Sequence, residues 1–255
     1  MFSIRSTITA GAAMLVAATT VATAADLNGY NGSMKDGSAY MPAIQATPSW
    51  YLRVDGAYGS FDDPVMTENK YWDLTNTSID NTWSIGGGFG RYIGRNARIE
   101  FTYDHRFEAN AQGTLSDPAS PLPGVRRFGI KSDLLLTSLY YDFDSMRGFR
   151  PYIGVGLGAV RHTTTPGNIE SCGCTVATIE KGDNWNVAGA LMAGFSYQLR
   201  DRLHFDAGYR FLYLGEAKTG AITTIAPGPV AVAQDPDVKE MHAHEFRFGL
   251  RYDIW

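Results

Sequence analysis

Large apolar residues alternate with small or polar residues in eight separate segments of this chain, and this alternation limits the possible folds more than any other feature. The segments span residues 50–61, 83–93, 97–107, 133–143, 152–160, 185–199, 203–214 and 245–255. A period of two residues predicts a β-strand with one apolar and one polar face. Because the segments are roughly 9–15 residues long, each could cross a bilayer as a tilted strand.

The connections between these segments are alternately short and long. The short ones read "GRN", "DSMRGFRP" and "RDR", and the four others contain 21 to 30 residues each. Short turns on one side and long loops on the other are typical of outer-membrane barrels. The sequence therefore predicts an all-β fold, an eight-stranded antiparallel up-and-down transmembrane β-barrel with short periplasmic turns and four long extracellular loops.

The apolar faces of the strands are predicted to point outward, into lipid. An eight-stranded barrel has an interior just wide enough for side chains to fill, and the glycine-rich faces of residues 83–93 and 152–160 suit that space. The mean hydropathy of −0.17 fits a barrel in which only alternate residues are apolar. The alternative is a soluble exported barrel with its apolar faces inside. Candidates for the interfacial aromatic belts are Trp50, Trp83, Trp185, Tyr141, Tyr197 and Tyr213.

With this orientation, charged residues of both signs line the lumen. They are Arg53, Asp55, Arg98, Glu100, Asp104, Arg106, Asp142, Asp206, Arg210, Glu245, Arg247, Arg251 and Asp253, accompanied by His204. Since a buried charge without a partner costs several kcal/mol, we expect interlocking arginine–carboxylate pairs that close the lumen. A small porin-like diffusion channel, lined by the same charges, is the alternative.

The beginning of the chain has the composition of an export signal. Arg5 precedes a short apolar stretch that ends in the small residues Ala22-Thr23-Ala24. We expect a signal peptide over residues 1–24, a flexible segment over 25–49 and the barrel domain over 50–255. The predicted location is the bacterial outer membrane.

Four stretches resemble a known family. "WYLRVDGAYG", "PYIGVGLGAV", "FDAGYRFLYLG" and "HEFRFGLRYDIW" are similar to the alphaproteobacterial outer-membrane β-barrel family of porin-like surface proteins and surface antigens, whose architecture is similar to the OmpA-type transmembrane domain. The resemblance implies an eight-stranded integral outer-membrane protein. Members of such families are implicated in haem binding, adhesion or envelope integrity, and the resemblance does not select among these roles.

The end of the chain resembles the C-terminal signal that the barrel-assembly machinery reads. The pattern of a polar residue, glycine and two apolar residues falls on Arg247, Gly249, Tyr252 and Ile254, and Trp255 lies one step beyond it. The machinery is therefore an expected partner during biogenesis.

Few residues indicate further chemistry. Cys172 and Cys174 could form a small-ring disulfide, remain free thiols or join a metal site. His242 and His244 lie two apart on one strand and could bind a metal or haem iron, although an exposed strand start is the simpler interpretation. No serine and carboxylate are forced beside His105, so we expect no enzyme activity and no cofactor.

Composition and loops indicate the partners. A net charge of −4 gives no reason to expect nucleic acid. We expect contact with outer-membrane lipid and lipopolysaccharide, and an extracellular partner at the long loops. The predicted role is structural, in envelope integrity or surface interaction; a small channel, or a haem- or ligand-binding adhesin-like barrel, are the alternatives.

Overall fold

The structure is a computed structural model that describes residues 49–68, 72–116, 123–225 and 236–254. The expected signal peptide, nearly all of the expected flexible segment and Trp255 lie outside the described residues. Within these ranges no helix combines the length and the hydropathy required to span a membrane.

Eight long antiparallel strands form a closed barrel. They are β1 (Trp50–Phe61), β2 (Thr82–Ile93), β3 (Ala97–Leu115), β4 (Gly124–Asp142), β5 (Phe149–Thr164), β6 (Asp183–Arg200), β7 (Leu203–Tyr213) and β8 (His242–Asp253). Each strand pairs with the next along the chain. The last strand pairs with the first, from Tyr51↔Asp253 to Phe61↔Ala243, and this pairing closes the ring. The predicted fold class is confirmed.

The predicted length of two strands was wrong. β3 continues beyond residue 107 and β4 begins well before residue 133, where the sequence indicated a loop. The two strands pair as far as Leu115↔Gly124. An irregularity between Arg106 and Ala109 separates the lower part of this hairpin from its extension. The extracellular connection between β3 and β4 is therefore largely β-sheet.

The other extracellular connections also contain short strands. Thr75–Ile79 pairs with β3; Gly167–Ser171 and Cys174–Ile179 form a hairpin beside β4; Ile222–Thr224 adds to this hairpin. A separate four-stranded sheet consists of Val65–Glu68, Trp72–Asp73, Ala217–Lys218 and Pro236–Lys239. These pairings satisfy backbone donors and acceptors that open loops would leave to water.

The barrel strands carry their large apolar side chains on the outer surface. Val155 and Phe246 are 55% and 61% exposed, and all six candidates for the aromatic belts lie on this surface. The inner surface is lined by charges and glycines. A Cβ atom at Gly88 would lie 2.2 Å from the Phe101 carbonyl oxygen, so the backbone itself excludes a larger residue there.

The extracellular half of the barrel encloses an apolar core, which was not expected from the sequence. Leu134, Leu136 and Leu212 point inward and pack against residues of the extracellular strands. We call this cluster the apolar plug; its principal members are Met66, Leu74, Ile79, Phe128, Ile130, Leu134, Leu136, Val160, Ile169, Ile179, Leu212, Leu214, Val238 and Met241. The expectation of a polar lumen therefore holds only in part, since Tyr140 and Tyr152 extend the same cluster to the charges of the periplasmic half.

Candidate functional site

Glu100 on β3 is the centre of an ion-pair cluster in the lumen. Its carboxylate accepts hydrogen bonds from Arg53 Nη1 at 2.6 and 2.7 Å, from Arg98 Nη1 at 2.9 Å and from the Tyr51 hydroxyl at 2.8 Å. Arg53 and Tyr51 belong to β1, and they reach β3 across the inner face of β2. Gly90 makes this possible, since a Cβ atom there would lie 2.3 Å from Tyr51 Cζ.

Asp55 extends this cluster to β8. Its carboxylate accepts two hydrogen bonds from Arg53, at 2.6 and 2.8 Å, and one from Arg247 Nη2 at 2.7 Å. Gly249 lies opposite, where a Cβ atom would be 2.0 Å from Asp55 Oδ1. Gly249 of the expected assembly signal therefore also has a packing role inside the barrel.

A second cluster crosses the lumen closer to its extracellular end. Arg210 on β7 donates to Asp104 on β3 at 2.6 Å and to Glu245 on β8 at 2.7 Å. Arg106 Nη2 lies 2.6 Å from the other oxygen of Glu245. Because β3 and β7 are opposite each other in a ring of eight strands, the contact between Arg210 and Asp104 joins opposite walls of the barrel.

Tyrosine rings support the guanidinium groups. Arg98 lies over Tyr140 and Tyr152, 4.4 and 4.9 Å from the ring centroids, and donates to Asp142 at 3.2 Å. These contacts add cation–π attraction to the ion pairs in a site without bulk solvent. Sequence analysis did not assign these lumen tyrosines a role, although Tyr140 occupies a polar-face position in its strand.

A third group of charges lies at the periplasmic end of the lumen. Arg251 Nη2 donates to the Ser196 hydroxyl at 2.8 Å and lies 3.5 Å from Asp206 Oδ1. Asp253 accepts a hydrogen bond from the Tyr92 hydroxyl at 2.9 Å, and its other oxygen lies 3.0 Å from His204 Nε2. All of the charged residues that the sequence placed in the lumen are buried there, and each contacts a partner.

The two cysteines are not bonded to each other. Cys172 and Cys174 are exposed free thiols on either side of Gly173. Cys172 and Gly173 are the two central residues of the hairpin turn, with φ of 50° and 80°, and Cys174 pairs with Ser171 in the strand ladder. The small-ring disulfide considered from the sequence is therefore absent from this turn, because the ladder pairs Cys174 with Ser171 and leaves Cys172 in the turn itself.

The histidines on the outer surface contact aromatic and acidic side chains. His242 stacks on Phe211 with ring centroids 5.6 Å apart, and His244 lies 3.1 Å from Asp62. His105 Nδ1 lies 2.7 Å from Asp133. In the part of the chain that the structure describes, no three His, Cys, Asp or Glu side chains group as a metal site.

One histidine pairs with a serine inside the barrel. The Ser132 hydroxyl lies 2.8 Å from His162 Nδ1, and His162 Nε2 lies 2.8 Å from the Leu214 carbonyl oxygen. Both side chains are buried beside the apolar plug. A hydrolase would need a carboxylate at the position that the Leu214 carbonyl occupies. The hydrogen bonds of His162 therefore connect the residue that follows β7 to Ser132 on β4.

An extracellular groove of about 490 Å³ lies between the β3–β4 extension and the hairpin over residues 167–179. Glu108 is at its centre: one carboxylate oxygen accepts from the Thr165 hydroxyl at 3.2 Å, and the other lies 3.0 Å from Lys131 Nζ. A Cβ atom at Gly129 would lie 2.3 Å from Glu108 Oε1, so only glycine leaves space for this arrangement. The polar lining consists of Asp80, Glu108, Asn110, Gln112, Arg127, Thr165, Asn168 and Thr178.

A family model for the outer membrane protein beta-barrel domain matches residues 10–253. The chain belongs to this family. An uncharacterized protein of Brucella suis is 27% identical over 247 residues, which cover 82% of this chain and 86% of the relative. A candidate adhesin of Rickettsia bellii is 27% identical over 217 residues, covering 81% and 88%.

Among solved structures, the outer membrane protein OprG from Pseudomonas aeruginosa is similar, with a TM-score of 0.49 and 18% identity; the match covers 81% of this chain and 97% of OprG. Family membership confirms the location predicted from the sequence, the bacterial outer membrane. The exposed apolar surface of the barrel therefore faces lipid.

Proposed function

We propose that this protein is a barrel with a closed lumen that acts as a structural and surface-interaction component of the outer membrane. One observation carries the closed lumen: Arg210 and Asp104 join opposite walls at 2.6 Å, and Leu134 of the apolar plug is the strand partner of Asp104. A hydrated pore would need a continuous gap between side chains, whereas buried ion pairs and the apolar plug both occupy the lumen.

A conductance measurement tests the closed lumen. We expect the purified, folded protein to give no single-channel current in a planar lipid bilayer, because ions would have to displace paired charges and then cross an apolar region. A general porin in the same bilayer is the positive control, and a shift in gel mobility on boiling verifies folding. Reproducible ohmic current steps would contradict the proposal and favour the small diffusion channel.

The extracellular groove supports the surface-interaction role. Most of its polar side chains, including Glu108, Asn110 and Gln112, lie on β-strands, and ligand sites on rigid elements are more precise than sites on open loops. The candidate adhesin of Rickettsia bellii is as similar to this chain as the Brucella suis relative is, at 27% identity. We therefore place the contact with an extracellular partner at this groove.

Attachment assays test the groove. We expect Asn110→Ala combined with Gln112→Ala to reduce attachment of bacteria that display the barrel to cultured host cells severalfold, because both side chains are exposed in the groove. The control is Thr175→Ala, an exposed position on the neighbouring hairpin outside the groove. Unchanged attachment by the double variant would remove the groove from the proposal.

The remaining assignments follow the same architecture. We propose no enzymatic role, because in the described chain His105 pairs with a carboxylate and His162 pairs with a buried serine, and neither histidine joins both groups. Above the aromatic belt the outer wall carries exposed ion pairs, Arg161 with Asp183 and Lys131 with Glu108, at the level expected for lipopolysaccharide headgroups. We propose lipid and lipopolysaccharide as lasting partners and the barrel-assembly machinery as a transient one, through Arg247, Gly249, Tyr252, Ile254 and Trp255.

A further inference from the structure

The periplasmic end of the barrel encloses a cavity of about 600 Å³ that the proposed function does not use. It lies inside the ring of strands, below the ion-pair clusters, and its mouth is formed by the turn residues Gly94, Arg95, Ser145 and Gly148. Cavities of roughly 300–1,000 Å³ are the size that small molecules occupy in proteins.

The charged lining of this cavity is mainly basic. Arg95, Arg150 and Arg251 line it together with His204 and one carboxylate, Asp253. The carboxylate is already engaged, because it accepts a hydrogen bond from Tyr92 and contacts His204. Arg95 and Arg150 are exposed at the mouth, and neither makes an ion pair with another described residue.

Arg251 places a positive charge on the inner wall of the cavity. The residue is 2% exposed, and only its Nη2 atom contacts Ser196 and Asp206. The Nε and Nη1 atoms are buried and have no hydrogen-bond partner within the described residues. The guanidinium faces the rings of Tyr51 and Tyr92, 5.3 and 5.8 Å from their centroids, so Arg251 contributes positive charge to the inner end of the cavity rather than free donors.

We propose that this cavity binds a small soluble anion from the periplasm through a phosphate or carboxylate group. Arg95 and Arg150 would donate to the anion at the mouth, and the buried charge of Arg251 would attract it from the inner wall. Guanidinium groups suit this role because their paired N–H donors match the geometry of oxyanions. The barrel wall separates the cavity from the bilayer, which favours a soluble anion over a lipid headgroup.

Titration of inorganic phosphate, the minimal probe, tests the proposal on the full-length protein folded in detergent. We expect saturable binding by isothermal titration calorimetry, and we expect Arg95→Gln and Arg150→Gln each to weaken it by about tenfold, because each removes a charged donor. Both positions are exposed, so the variants should fold. The matched control is Arg202→Gln, an exposed arginine on the neighbouring periplasmic turn outside the cavity.

Three results would overturn this inference. Binding of phosphate that does not saturate is one, and an equal heat signal from chloride at the same ionic strength is another. The third is a loss of affinity in Arg202→Gln as large as in Arg150→Gln, which would indicate general attraction to a basic surface. None of these results bears on bilayer conductance or on attachment through the extracellular groove, so the proposed function is tested separately.

Discussion

Replacing Glu100 by glutamine should lower the free energy of unfolding by about 3–5 kcal/mol, because the change removes the carboxylate that two buried guanidinium groups share. Arg53 and Arg98 both donate to Glu100, and all three side chains are almost inaccessible to solvent. Arg53 keeps Asp55 and Arg98 keeps Asp142, but the cluster gains an uncompensated positive charge that water cannot easily reach. Urea-induced unfolding in lipid vesicles, followed by tryptophan fluorescence, measures the effect.

The matched control for this prediction is Glu170→Gln, which removes the same kind of carboxylate from an exposed pair. Glu170 lies 2.6 Å from Arg127 on the extracellular hairpin, and both side chains are more than one third exposed. Exposed ion pairs contribute about 0–1 kcal/mol, so the control should unfold nearly as the parent protein does. If Glu100→Gln were as mild as Glu170→Gln, the lumen would have to be hydrated, and the case for a closed barrel would fail with it.

The periplasmic half of the barrel could be read from the sequence because lipid imposes a simple rule. Where the outer solvent is hydrocarbon, each outward side chain is apolar and the inward ones are charged or small. Residues 97–107 follow this rule, and Arg98, Glu100 and Asp104 lie in the lumen as their phase predicts. The rule gives the face of each charge, but it gives no partners, since pairing depends on the stagger between strands that are not adjacent.

The extracellular half could not be read by the same rule because its outer solvent is water. Beyond the irregularity at residues 107–108, β3 turns Asn110 and Gln112 outward and Ala109 and Ala111 inward. The alternation continues, but here the outer face is polar and the inner face is apolar. A rule that requires an apolar outer face therefore ends the strand too early. This reversed pattern is the signal that would have indicated both the β3–β4 extension and an apolar interior above the membrane.

The apolar plug could not be predicted from the sequence, for a related reason. Leu134, Leu135 and Leu136 are consecutive, so both faces of β4 are apolar there and periodicity cannot state which one is buried. In the structure Leu135 is 49% exposed, whereas Leu134 and Leu136 are buried in the plug. What fixes this arrangement is the packing of the extracellular strands over the barrel, and a single strand's sequence does not contain that information.

The orientation of the strands predicts a second large effect, at the middle of the lipid-facing surface. Val155 lies midway along β5, points outward and is flanked by Leu139 and Leu191 on the neighbouring strands. We expect Val155→Arg to lower the free energy of unfolding in lipid vesicles by about 2–4 kcal/mol. An arginine at the bilayer midplane keeps its charge hydrated only by deforming the bilayer around it. The same urea titration measures it.

The control on the same strand and the same face is Thr163→Arg. Thr163 lies above the aromatic belt, two residue pairs beyond the row that contains Trp185, and it pairs with Asp183. An arginine at this height reaches water and a neighbouring carboxylate, so its expected cost is about 0–1 kcal/mol. The difference between the two variants depends only on depth in the bilayer, because strand, face and introduced residue are identical. Equal costs would mean that the apolar surface around Val155 is not in hydrocarbon, and the outward orientation of every other strand would then lose its physical basis.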